Sequence, residues 1–179
     1  KFLGRTAHAA GDPQNGRSAL DAVELMNIGV NYMREHMISD ARLHYVITNG
    51  GKAPNIVPDE AEVWYYVRAP QRHQVDNLYE RVVNIAKGAT TMTETKLEID
   101  FLSGMYNTFY NKVVQEVVEA NLKRVGPPKF NYVDKKFARE LQKTLPPNHM
   151  EGYLKLVPPD LIDLAKVVLS QPLNKVIIP

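Results

Sequence analysis

The chain has 179 residues, enough for one ordinary domain or for one domain and part of another, and its 44% apolar content excludes wholesale disorder. Twenty-two Lys and Arg against 20 Asp and Glu leave a formal charge of +2, too near balance for a nucleic-acid-binding surface. No run approaches the roughly 18 apolar residues of a membrane span, no secretion signal opens the chain, and the absence of Cys excludes disulfides and thiolate metal sites. A soluble, cytoplasmic protein with neither nucleic acid nor membrane as partner is expected.

In chain order, KFLGRTAHAA starts without Met in strand-prone residues, as expected of a piece cut from a longer protein. GDPQNG is a concentrated turn signal. Ser18-Ala19-Leu20-Asp21 then reads as a capping box with Asp in place of Glu. Ala19, Ala22, Val23, Met26, Val30 and Met33 follow at three- and four-residue spacing, which predicts a helix to about His36. Residues 41–49 alternate Leu43, Tyr45 and Ile47 against Arg42, His44 and Val46, as a half-buried strand does. After the turn at Gly50-Gly51-Lys52 and an irregular Asn55-Ile56-Val57-Pro58-Asp59, the β-prone run Ala61–Arg68 predicts another strand, stopped by Pro70. A second amphipathic helix is predicted from Gln71 to about Gly88, with the stripe Val75, Leu78, Val82, Val83, Ile85 and Ala86. A threonine-rich turn, Thr90–Thr95, leads to an alternating strand over Lys96–Leu102.

The resulting order is βαββαβ over residues 1–110. It predicts an α+β, ferredoxin-like fold: a four-stranded antiparallel sheet with two helices on one face. From Asn111 the signals turn helical, with helices predicted at Lys112–Val125, closed by Gly126-Pro127-Pro128, and at Val133–Thr144. An amphipathic run occupies Pro159–Leu169, and 146–179 offers no further sheet partner. Residues 111–179 are expected to be elements of a second, incomplete domain.

Residue chemistry alone leaves the site open. There is no HExxH, no His pair at metal spacing and no Glu-Glu pair, so no complete metal site is expected within this chain. His8, between alanines, is either a structural hydrogen-bonding residue or a chemical group. His36, His44, His73 and His149 lack any patterned context and read as structural. Asn55 is either a turn residue bonding its own backbone or a ligand contact, and Arg68 either a strand-ending surface residue or an anion contact.

Gly4-Arg5-Thr6-Ala7-His8-Ala9-Ala10 resembles the G-x-x-A-H-A-A motif of the zinc-dependent aminoacylase and carboxypeptidase metallopeptidases. Pro13, Gly16, Ser18–Ala22, Asn55-Ile56-Val57-Pro58 and Arg68 follow in that family's order and spacing. The resemblance implies a lid or dimerisation domain, residues 1–110, inserted in a two-metal catalytic domain of which 111–179 is a returning segment. It further implies that His8 reaches into the active site of the other protomer to stabilise an oxyanion, that Asn55 bonds substrate, that Arg68 pairs with its free carboxylate, and that Gly104 approaches substrate with its backbone. A planar guanidinium suits that carboxylate, because it grips both oxygens at once.

SGMYNTFYN and RVGPP add a likeness to members that cleave p-aminobenzoyl-glutamate, a folate breakdown product. The implied activity is metal-dependent hydrolysis of the amide of that or a similar N-acyl amino acid. The implied cofactors are two divalent ions, zinc or manganese, held outside this chain, which alone is expected to be inactive. The implied assembly is a homodimer, or a heterodimer with a homologous partner, through the helix Ser18–His36 and the strand Arg42–Thr48. Two rivals stand beside it: another N-acyl amino acid, a dipeptide or an auxin-type conjugate as substrate, and a non-catalytic ferredoxin-like module that pairs through its sheet edge. Convergence of His8, Asn55 and Arg68 on one surface away from the pairing edge would favour the enzyme, and their scatter would favour the module.

Overall fold

A computed structural model describes residues 1–146 and 148–170. The chain divides into two compact units, Lys1–Thr108 and Phe109–Pro179.

The first unit is the expected α+β arrangement. Strands β1 (Phe2–Leu3), β2 (Arg42–Asn49), β3 (Glu60–Arg68) and β4 (Lys96–Leu97) form one antiparallel sheet in the order β2-β3-β1-β4. Helices α1 (Ala19–Met33) and α2 (Arg72–Thr93) pack on it and on each other. Helix α1 starts where the sequence places its cap: Asp21 N donates to Ser18 Oγ at 3.1 Å, and the hydroxyl donates to the Asp21 carboxylate at 2.8 Å. Its stripe Ala19, Ala22, Val23, Met26, Val30 and Met33 is buried against Phe2, Leu43 and Ala61 of the sheet and Leu78, Val82, Ala86 and Ala89 of α2. Burying these apolar faces is what drives the unit together.

Several boundaries differ from those the sequence predicts. Helix α1 ends at Met33 and a 3-10 turn, Arg34–His36, completes the stretch. Helix α2 runs past Gly88 to Thr93, an extra turn that buries Ala89 in the core and in which the threonine hydroxyls are satisfied within the helix. Thr90 and Thr91 Oγ1 donate to Lys87 O and Thr93 Oγ1 to Ala89 O, while Ala89 is buried. The helix stops at Glu94, the one described non-Gly residue with positive φ, 54°. The strand expected over Lys96–Leu102 is confined to Lys96–Leu97. Its pairing partner is β1, with Phe2 opposite Leu97 and Leu3 opposite Lys96, and Glu98 N donates to Lys1 O at 2.9 Å.

The second unit holds α3 (Lys112–Val125), α4 (Tyr132–Lys143), the short α5 (His149–Leu154), which sequence periodicity does not reveal, and α6 (Ile162–Leu169). Asn111 caps α3 and Asn131 caps α4, each side chain accepting from a first-turn N–H at 3.1 Å. Their apolar side chains Val113, Val117, Leu122, Val133, Phe137 and Leu141 are exposed. Residues 147 and 171–179 of the expected returning segment lie outside the described residues.

Candidate functional site

His8 sits in a loop fixed almost wholly by backbone hydrogen bonds. Beyond β1, Gly4 N donates to Asp59 O at 2.7 Å, and Arg5 exchanges two bonds with Arg17 at 2.9 and 2.8 Å. Val57 N donates to Ala7 O and Ala9 N to Asn55 O, at 2.9 and 3.0 Å, so His8 and Ile56 face each other in an isolated bridge. Gly4 is required here, since a Cβ would stand 2.0 Å from the Arg17 carbonyl oxygen.

The ring itself is oriented by the turn that follows. His8 Nδ1 accepts from Ala10 N at 3.2 Å and Gly11 N at 2.9 Å. Two N–H donors aimed at Nδ1 need a lone pair there, which leaves the proton on Nε2. His8 is exposed, so Nε2–H is a donor presented to the outside. Asn55 is exposed beside it, its backbone tied to Ala9 and its side-chain amide without a hydrogen bond among the described residues.

Arg68 lies at the other end of β3. The strand's alternation sends Val63, Tyr65 and Val67 toward the helices and Glu62, Trp64, Tyr66 and Arg68 to the outer face. Trp64 and Tyr66 pack with ring centroids 5.4 Å apart, and the Arg68 guanidinium carbon lies 5.2 Å from the Tyr66 centroid. Arg42 on β2 is directly opposite Arg68. Arg68 and Gly104 line one cavity of about 690 Å³, together with Tyr66, Arg72, Tyr79 and Phe101. Arg72 is held there by Asp76 at 2.8 Å and lies 5.1 Å from the Tyr106 centroid. Its hydrogen bond to that carboxylate raises its pKa further. A Cβ at Gly104 would meet Phe101 at 3.1 Å and Arg72 Nη1 at 3.3 Å, so a side chain there would press on the tips of both.

The structure therefore brings His8 to Asn55 and Arg68 to Gly104, but it does not bring the two pairs together within one chain, an outcome that on a single protomer favours the non-catalytic module. Eight residue steps at about 3.3 Å each separate Glu60 from Arg68 by about 26 Å along β3. Residue-by-residue reading missed Arg42 and Tyr66. Strand alternation puts both on the Arg68 face, but the pairing register that sets Arg42 against Arg68 is not visible in a single strand.

Among the described residues, no group of three or more His, Asp or Glu is placed to hold a metal ion, and no helix is long and apolar enough to cross a membrane. The two divalent ions implied by the sequence resemblance have no ligand set among these residues.

Strand β2 forms one edge of the sheet, with Tyr45, Val46 and Ile47 partly exposed, and α1 exposes Ile28 and Tyr32. An edge strand beside uncovered apolar side chains is a surface suited to pairing. A family model described as the peptidase dimerisation domain matches residues 1–91, just over half of the chain. The chain belongs to the peptidase dimerisation domain family.

Relatives of this peptidase dimerisation domain chain are hydrolases. It is 43% identical over 155 residues to one of the subunits of p-aminobenzoyl-glutamate hydrolase from Escherichia coli, covering 86% of this chain and 32% of that protein. It is 32% identical over 127 residues to the Xaa-Arg dipeptidase of Mus musculus, covering 70% and 30% of the two. The chain thus spans about a third of the length of these relatives. In three dimensions it matches an aminobenzoyl-glutamate utilization protein from Klebsiella pneumoniae at a TM-score of 0.57 and 24% identity, over 69% of this chain and 32% of the other. That likeness confirms the ferredoxin-like sheet with its helices.

Proposed function

We propose that this chain is the lid and dimerisation part of an amide-bond hydrolase, with p-aminobenzoyl-glutamate as substrate, and that each active site takes His8 and Asn55 from one protomer and Arg68 from its partner. The observation that carries the reading is the His8 ring. Its Nδ1 is engaged by two backbone N–H groups, so Nε2–H projects as a fixed donor. Such a donor is most useful where negative charge develops on an oxygen only as the amide carbonyl is attacked, since it then favours the transition state over the ground state. Asn55 bonds the substrate beside it. Arg68, with Gly104 lining the same cavity, binds the substrate carboxylate through a planar pair of N–H donors.

The separation of the two pairs along β3 is resolved by a second copy. Antiparallel pairing of β2 with its two-fold mate inverts the partner's sheet, so the partner's Arg68 comes to the end that holds His8 and Asn55. The exposed β2 edge and the Ile28 and Tyr32 side chains of α1 support this pairing. The two zinc or manganese ions of the intact protein belong to segments outside this chain. The exposed apolar faces of α3 and α4 support reading 111–179 as part of that larger catalytic domain.

The identity to the p-aminobenzoyl-glutamate hydrolase chain supports the preferred substrate, and the lower identity to Xaa-Arg dipeptidase makes a dipeptide the runner-up. The test is His8→Ala in the full-length enzyme. Loss of one oxyanion donor lowers kcat about 10²–10³-fold with KM and thermal midpoint little changed. A kcat within a few-fold of the parent would sink the oxyanion role and favour a purely assembling module.

A further inference from the structure

The Arg68 end of β3 carries a charge arrangement that neither the core nor ion pairing explains. Arg42 and Arg68 are directly opposed in the β2–β3 ladder, and both are exposed on the outer face of the sheet. Like charges directly opposite each other are unfavourable in a sheet. Ion pairs among the described residues engage other cations, and Arg72, on the same rim, has its own carboxylate in Asp76. Arg42 and Arg68 have no carboxylate partner among those residues.

Both guanidinium groups are nevertheless held in place. Arg42 Nη1 donates to the backbone carbonyls of Ala41, at 2.6 Å, and Ser39, which leaves Nε–H and Nη2–H unspent. Arg68 lies against the face of Tyr66, a contact that leaves its in-plane N–H groups open. Anchored donors lose little further freedom when an anion arrives. The two side chains rise from backbone positions about 5 Å apart, with Arg42 turned toward Ser39 and Ala41 and Arg68 toward Tyr66, so they offer two separate cationic groups on one edge of the sheet.

We infer that Arg42 and Arg68 form a seat for a dicarboxylate, and that Arg42 makes the enzyme select an acyl amino acid with an acidic side chain. Arg68 takes the α-carboxylate and Arg42 the side-chain carboxylate. The first half rests on the function proposed above; the second half is independent of how the amide is cleaved. An anion held between the two arginines also removes the repulsion that the ligand-free sheet tolerates.

The experiment compares p-aminobenzoyl-glutamate with its neutral isostere p-aminobenzoyl-glutamine as substrates of the full-length enzyme. Arg42→Met lowers kcat/KM for the glutamate roughly 10- to 100-fold, chiefly through KM, and leaves the glutamine substrate within about threefold, the pattern of a lost charge-assisted contact. Arg42→Lys recovers part of the loss. Arg68→Met lowers kcat/KM for both substrates. If Arg42→Met depresses the two substrates equally, or neither, the dicarboxylate seat is overturned. If Arg68→Met spares both while Arg42→Met still discriminates between them, the α-carboxylate role of Arg68 fails and Arg42 alone reads the acidic side chain.

Discussion

The two ends of β3 present their candidate site residues by different means. At the Glu60 end, His8 and Asn55 are positioned by main-chain bonds: the bridges from Gly4 to Ala9 fix the loop, and two further N–H groups fix the imidazole. At the Arg68 end, Arg42 and Arg68 stand on open strand surface, steadied by a ring face and by backbone carbonyls. The difference matches the chemistry proposed for each. An oxyanion donor must be preorganised, because any reorganisation during the reaction subtracts from its effect. A carboxylate clamp needs charge and a planar fork, and tolerates more freedom.

Each end also has its own structural anchor, and breaking one should spare the other. The largest effect is expected at Gly4, where a Cβ 2.0 Å from the Arg17 carbonyl forces the backbone apart. Gly4→Ala should cost about 1–3 kcal/mol, as overpacking against fixed atoms does, and should lower kcat more than it raises KM, because the Arg68 contact to substrate is kept while those of His8 and Asn55 are disturbed. Denaturant unfolding and steady-state kinetics on the full-length protein read both quantities. A variant with parental kcat and stability would show that the loop is not held as described.

The Arg68 end is anchored from beneath by Tyr65, whose hydroxyl donates to Asn27 Oδ1 of α1, the one buried polar side chain among the described residues. Tyr65→Phe leaves that oxygen without its partner and should cost about 1–3 kcal/mol, with KM rising and kcat largely kept. The smallest effect concerns pH. Burial raises the Tyr65 pKa well above the usual value of 10. A group whose pKa is raised on folding gives stability that is complete below its unfolded pKa and is lost above it. Stability should therefore decline as pH rises beyond about 10, and the decline should be weaker in Tyr65→Phe. Equal slopes in the two proteins would remove Tyr65 as the cause.

Much of this architecture is written locally. The Ser18 cap, the α1 stripe and the alternation in β2 and β3 are short-range patterns, and the structure follows them. The alternating pattern of 96–102 is longer than the strand that forms, Lys96–Leu97, because pairing with a neighbour and not alternation alone decides which residues join a sheet. The extra turn of α2 buries Ala89 in the core and satisfies its threonine hydroxyls within the helix, where propensity alone places a turn. His8, Asn55 and Arg68 stand out as candidates only through the resemblance of their motifs to a known family, since residue chemistry alone leaves each of them open. The separation of Arg68 from the other two, and its pairing with Arg42, follow from sheet order and register, which the sequence does not display.

The central claim is that each active site draws on opposite ends of β3 from two protomers. It is tested most directly by mixing full-length His8→Ala and Arg68→Met chains, each nearly inactive alone, under conditions that exchange protomers. Random pairing in a two-fold dimer gives mixed dimers with one intact site each, so activity should return to about a quarter of the parent level. A mixture no more active than the two variants measured separately would contradict the account.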